Sequence, residues 1–128
     1  MTTLLDVAAL CARMRAASLD LFEQVGSWVT NTPAGAEQQR WATACHRHAW
    51  HADLWAQRAP AIRSFDLAAA VAAERGSLGA PSTPADRADW YRDVLSELAT
   101  ALDAAAAHVD PDLDPSTART IALVRADL

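Results

Sequence analysis

Apolar positions recur every three or four residues along most of this chain, which is the spacing of amphipathic helices. Val7, Cys11, Met14, Ser18, Leu21, Val25 and Val29 form the first series, with Arg13, Asp20, Gln24 and Ser27 on the other side. The series predicts a helix over residues 3–29, opened by a Thr2–Thr3 cap with Asp6 in its first turn. "NTPAG" breaks it with a proline and a glycine. A second helix is predicted over residues 36–59, stopping before Pro60. A third begins near "TPADRADW", where Thr83 can cap and Pro84 can take the first helical position. Its stripe is Tyr91, Val94, Leu98, Ala101, Leu102, Ala105 and Val109, and it ends at "VDPDLDP". A fourth starts near "DPSTAR" and carries Ala118, Ile121, Val124 and Leu128.

The links between these helices are uneven. About six residues join the first pair and about as many the last pair, and such short links make antiparallel neighbours. Some two dozen residues separate helices two and three, with "FDLAAAVAAER" as a short extra helix inside the crossover. The expected fold is a single all-α domain over residues 1–128, a bundle of four main helices. The fourth is short, about 20 Å against about 37 Å for the others. It leaves part of its neighbours' apolar stripes uncovered. Either the natural helix continues or another subunit covers the gap, and the second alternative points to a homo-oligomer.

Composition fits this class. Hydrophobic residues make up 52% of the chain and aromatics only 6%, and much of the apolar share is alanine, a strong helix former. Lysine is absent, so every basic side chain is an arginine, as a GC-rich coding bias produces. The net charge is −5. With no basic patch legible in the sequence, nucleic acid and anionic membrane are poor partners. The N-terminus lacks a basic signal-peptide region and no apolar run approaches membrane-spanning length, so a cytoplasmic location is expected. Cys11 and Cys45 lie on apolar faces and read as reduced, inert core thiols.

The densest chemistry is "CHRHAWHADLW", residues 45–55. On a helical wheel, Glu37, Trp41, Ala44, Cys45, His48, His51, Ala52 and Trp55 share one face. His48 and His51 look inward and His46 outward. Histidines at i and i+3 can share a metal, but Cys45 lies about 9 Å along the axis from His51, so further ligands must come from other helices. Glu23, on the flank of helix one, completes a candidate set of His48, His51 and Glu23 for iron, manganese or zinc; Glu37 is a weaker alternative. The second half offers little. Asp93 and Glu97 lie off their stripe, Asp127 points away from Ile121 and Val124, and Arg87 and Arg125 are better aimed inward than any acid. The plainer alternative is a buried, neutral pair hydrogen-bonded to Tyr91 or Ser18. A third is a small-ligand pocket walled by Trp41, Trp55 and Tyr91. Trp50, on the polar side, is a candidate oligomer contact.

"LFEQVGSWV" with "HRHAWHADLW", in hairpin–crossover–hairpin order, resembles small actinobacterial proteins of the ferritin-like superfamily. The resemblance covers about residues 19–56. It implies the bundle fold and a di-iron ligand pattern of a glutamate on one helix and Glu-x-x-His on the next. Glu23 matches the first. His48-Ala-Trp-His51 stands where the second would be, with histidine in place of glutamate. Helices three and four carry neither element, so the implied di-iron set is incomplete. Three functions follow as expectations. The first is a ferritin-like binding or assembly protein. The second is a metal-dependent oxidoreductase or hydroxylase using His48 and His51. The third is a small-ligand binder. Whether the chain is an enzyme is left open among them.

Overall fold

The computed structural model describes residues 2–128, and those residues are all-α. Five helices follow in order: α1 (Leu4–Val29), α2 (Ala36–Arg58), α3 (Leu67–Glu74), α4 (Arg87–Ala106) and α5 (Pro115–Ala126). α1 opens on a reciprocal box in which Asp6 N–H donates to Thr3 Oγ1 and Thr3 N–H donates to Asp6 Oδ2, satisfying two otherwise unpaired amides. The short helix expected inside the crossover is α3, capped by Asp66, whose carboxylate accepts from Ala69 N–H. Asp114 caps α5 in the same way through Thr117 N–H, with Pro115 at the first position.

The start of α4 differs from expectation. Pro84–Asp86 form a separate 3₁₀ turn, and Thr83 makes no side-chain cap to the backbone. Its hydroxyl donates instead to Asp86 Oδ2 at 2.8 Å. The helix also stops at Ala106, so Val109 lies in the following turn.

α1 and α2 run antiparallel. Gln38 donates to the Val29 carbonyl, Cys45 to that of Phe22, and Arg15 to that of Ala52, so the contacts progress in opposite directions along the two helices. Small residues allow a close approach: a Cβ placed on Gly26 would lie 3.2 Å from Cys45 Sγ. α3 packs on a second face of α1, with Val71 against Ala12 and Ala16. The apolar stripe read along α1 is therefore one of two buried faces, because alanine carries too little hydrophobic weight to mark the other.

α1, α2, α4 and α5 meet in a core of Val7, Cys11, Met14, Trp55, Leu102, Ile121 and Val124. A second core toward the other end joins Leu21, Val25, Trp28, Trp41, Ala44, Tyr91 and Val94. His48 and His51 occupy the turns of α2 between Trp41 and Trp55. The last helix is short, as expected: α5 has 12 residues against 26 in α1. Arg58 ties its start to α2, donating to Thr117 Oγ1 at 2.7 Å and to both Asp114 oxygens at 3.2 Å. Among the described residues no helix is long and apolar enough to cross a membrane.

Candidate functional site

Helical periodicity carries both inward histidines into the interior, where each is 1% exposed. Each ring meets a different partner. His48 Nε2 lies 2.7 Å from Tyr91 Oη on α4. His51 Nε2 lies 2.8 Å from Asp127 Oδ2, just past the end of α5. The rings themselves meet edge to face, with centroids 5.6 Å apart.

Burial decides their protonation. Desolvation, helped by the neighbouring His51 and Arg47, pushes His48 down to about 3. Desolvation also lowers His51, against the opposing pull of the Asp127 carboxylate. Burial pushes Tyr91 up to about 12. At neutral pH both imidazoles are uncharged and the phenol keeps its proton. A carboxylate only accepts, so the His51 proton sits on Nε2 and Nδ1 carries the lone pair. The His48–Tyr91 bond runs in either direction according to the His48 tautomer.

Asp127 is the residue that sequence reasoning misplaced. The expectation set it away from Ile121 and Val124, although a residue three positions after Val124 shares that side of a helix. α5 ends at Ala126, and Asp127 is its C-cap, with its N–H bonded back to the Val124 and Arg125 carbonyls. The carboxylate reaches α2, where it meets His51. Its second oxygen stands 3.8 Å from Arg47 Nε. Arg125 and Arg87 also depart from expectation. Arg125 pairs with the exposed Asp103 at 2.9 Å, and Arg87 lies over the Trp28 ring, 5.4 Å from its centroid.

Glu23 does not join the histidines. Its carboxylate pairs with Arg75 at 2.7 Å, and its side chain is 65% exposed. Arg75 follows α3, and the packing of α3 on α1 draws Glu23 to that outer face. Glu37 is exposed as well. Ser18 is buried, but its hydroxyl donates to the Met14 carbonyl rather than to a histidine. Among the described residues no three His, Cys, Asp or Glu side chains are placed to hold one ion. The donor set that a di-iron centre needs does not assemble around His48 and His51: Tyr91 holds the first, Asp127 the second, and Glu23 is engaged elsewhere.

Of the three residues expected to wall a pocket, Trp41 and Trp55 are fully buried, and Tyr91 lines the open lobes described below. Trp41 and Trp55 are 1% and 0% exposed, and neither buried indole N–H finds a hydrogen-bond partner among the described residues. Trp41 stacks edge-on against both Trp28 and Tyr91. Trp50 is exposed, as its place on the polar side implies.

Open space lies on the outer side of Tyr91 instead. One lobe, about 350 Å³, is lined by α2 residues including Arg40, Thr43 and Arg47, with Tyr91, Leu95 and Asp127 opposite. A second lobe of about 430 Å³ shares Arg40, Tyr91 and Leu95 and reaches Arg92 and Arg125. Four arginines thus line one cleft of a chain whose net charge is −5. No basic patch is legible in the sequence because these residues are scattered from position 40 to 125. The i,i+7 spacing of Arg40 and Arg47, along one edge of the histidine stripe, is the one available signal. No family model, curated protein or solved structure matches the chain.

Proposed function

We propose that this protein is a ferritin-like bundle that works as a small-molecule binding protein, with its site in the cleft between α2, α4 and α5. The hairpins α1–α2 and α4–α5, with a crossover that holds α3, support the ferritin-like arrangement. One observation carries the functional reading: the groups that line the cleft, Tyr91 and Asp127, are the same groups that anchor the two buried histidines. The polar interior is thereby coupled to a concave surface. Lobes of this size fall within the range of small-molecule sites, about 300–1,000 Å³. Oxidoreductase or hydroxylase chemistry at a di-iron centre is the weaker reading, since the side chains do not converge as its ligands.

A fragment screen read by amide chemical shifts on ¹⁵N-labelled protein, alongside elemental analysis of untagged protein, tests the proposal. Expected are shifts confined to residues 36–47, 91–99 and 124–128, with no metal dependent on the histidine pair. Near-stoichiometric iron, manganese or zinc, lost in the double variant His48→Ala/His51→Ala, would favour the metal reading. A cleft silent to every fragment would overturn the binding reading.

A further inference from the structure

We propose that the cleft over Tyr91 takes a small organic carboxylate, held by Arg40 and Arg47 with its apolar body against Leu95; this rests on the small-molecule reading above. Two of the four cleft arginines are already engaged. Arg92 donates to Asp89 and Asp93, and Arg125 donates to Asp103 through two nitrogens. These two shape the outer lobe but are largely matched by acids.

Arg40 is different. Among the described residues it forms no ion pair, and its guanidinium lies over the Trp41 ring, 4.8 Å from the centroid. Over the ring it has no carboxylate partner, and its N–H donors remain for an acceptor in the cleft. Arg47 is paired with Asp127 only by a long ion pair, at 3.8 Å, and makes no hydrogen bond to it. Asp127 directs its other oxygen to His51. The two arginines stand two turns apart on one edge of α2, about 10 Å along the axis. Their long side chains can close that span from either end.

Tyr91 supplies a third donor. When His48 donates from Nε2–H, Tyr91 Oη accepts, and the phenol proton is left for a ligand in the cleft. The phenol keeps that proton at neutral pH, as an ordinary tyrosine does, and burial raises its pKa further.

The same lining favours an organic anion over an inorganic one. Ala44 and Leu95 offer an apolar surface that an inorganic anion cannot use.

The test is a titration of ¹⁵N-labelled protein with phenylacetate, phenylacetamide, phenyl phosphate and inorganic phosphate, repeated on Arg40→Gln and Arg40→Lys. Phenylacetate is expected to shift residues 40–47 and 91–95 and to bind about tenfold more tightly than the amide, the worth of one charge-assisted pair. Arg40→Gln should remove that preference and Arg40→Lys should restore part of it, with the rest of the spectrum unchanged. Equal binding of amide and acid in the cleft overturns the carboxylate assignment and leaves the small-molecule reading standing. So does tighter binding of phenyl phosphate or of inorganic phosphate alone. A cleft that responds neither to these probes nor to the neutral fragments of the screen overturns both.

Discussion

His51 Nε2 and Asp127 Oδ2 lie 2.8 Å apart, although 76 positions separate them in the chain. The bond fastens the end of the shortest bundle helix to the middle of α2. Asp127→Ala leaves the His51 N–H buried without its acceptor. That costs about 1–3 kcal/mol, and it loosens the last turn of α5. Urea unfolding should show the loss, and amide exchange should quicken at Ile121 and Val124 before it does in α1. Arg47→Ala, which removes only a long, exposed contact, should cost less than about 0.5 kcal/mol. An Asp127→Ala protein as stable as the parent would show that the bond does not hold α5.

The histidines also set a pH dependence. In the unfolded chain His48 titrates near its ordinary 6.5, whereas in the fold burial holds it down at about 3. The unfolded state therefore takes up a proton that the native state refuses. Stability is complete above 6.5 and falls as the pH drops through that value toward the folded pKa, by about 1.4 kcal/mol per pH unit for one histidine. His51, lowered for the same leading reason, adds to the slope. Carboxylates ordinarily titrate lower, so the window from about pH 6.5 to 5 belongs to the histidines. Denaturant midpoints across it should decline, and His48→Gln, whose amide can still meet Tyr91, should flatten the decline. A parent with constant stability over that window would falsify the neutral, buried assignment.

The fold is legible wherever large apolar residues repeat at helical spacing. Val7, Cys11, Met14, Ser18, Leu21 and Val25 are buried as read, and so are His48 and His51, while Val29 at the end of the first series is only half-buried. The plainer reading of the pair, a bond to Tyr91, also matches the structure. Legibility fails where a side chain's direction depends on something other than helical phase. Asp127 lies one turn past Val124, and its partner His51 is 76 positions away, so no local window shows the pair. Glu23 is drawn outward by Arg75, which belongs to a crossover whose packing the sequence does not reveal. The second face of α1 is built of alanine, which looks alike in a core and on a surface. The arginine cleft is assembled from three helices, and no local window contains it.

The placement of Glu23 yields a contrast with its neighbour Asp20. Arg75 Nε donates to Asp20 Oδ1 at 2.5 Å, and Gly76 N–H donates to Asp20 Oδ2 at 2.8 Å. The Asp20 side chain is 15% exposed, against 65% for Glu23. Asp20→Ala strands a backbone amide and a half-buried guanidinium, so it should cost about 1–3 kcal/mol. Glu23→Ala should cost about 0–1 kcal/mol, and less in high salt. Thermal melts at two salt concentrations separate the two. A Glu23→Ala loss equal to that of Asp20→Ala, or one coupled to loss of bound metal, would give Glu23 the inward role that its geometry denies.

The close approach of α1 and α2 at Gly26 can be tested directly. Alanine is the better helix former by about 1 kcal/mol, and Gly26 needs no special backbone conformation. A new Cβ, however, would sit 3.2 Å from Cys45 Sγ, tighter than ordinary contact. The thiol is fixed by its bond to the Phe22 carbonyl at 3.4 Å, so it yields reluctantly. Overpacking of this kind costs about 1–3 kcal/mol. Gly26→Ala alone should therefore be neutral to mildly destabilising. In a Cys45→Ala background the clash is gone while the propensity gain remains, so adding Gly26→Ala there should stabilise by about 1 kcal/mol. A double-mutant cycle by chemical denaturation measures the difference. If Gly26→Ala has the same effect with and without the Cys45 sulfur, that contact does not limit how closely the two helices approach.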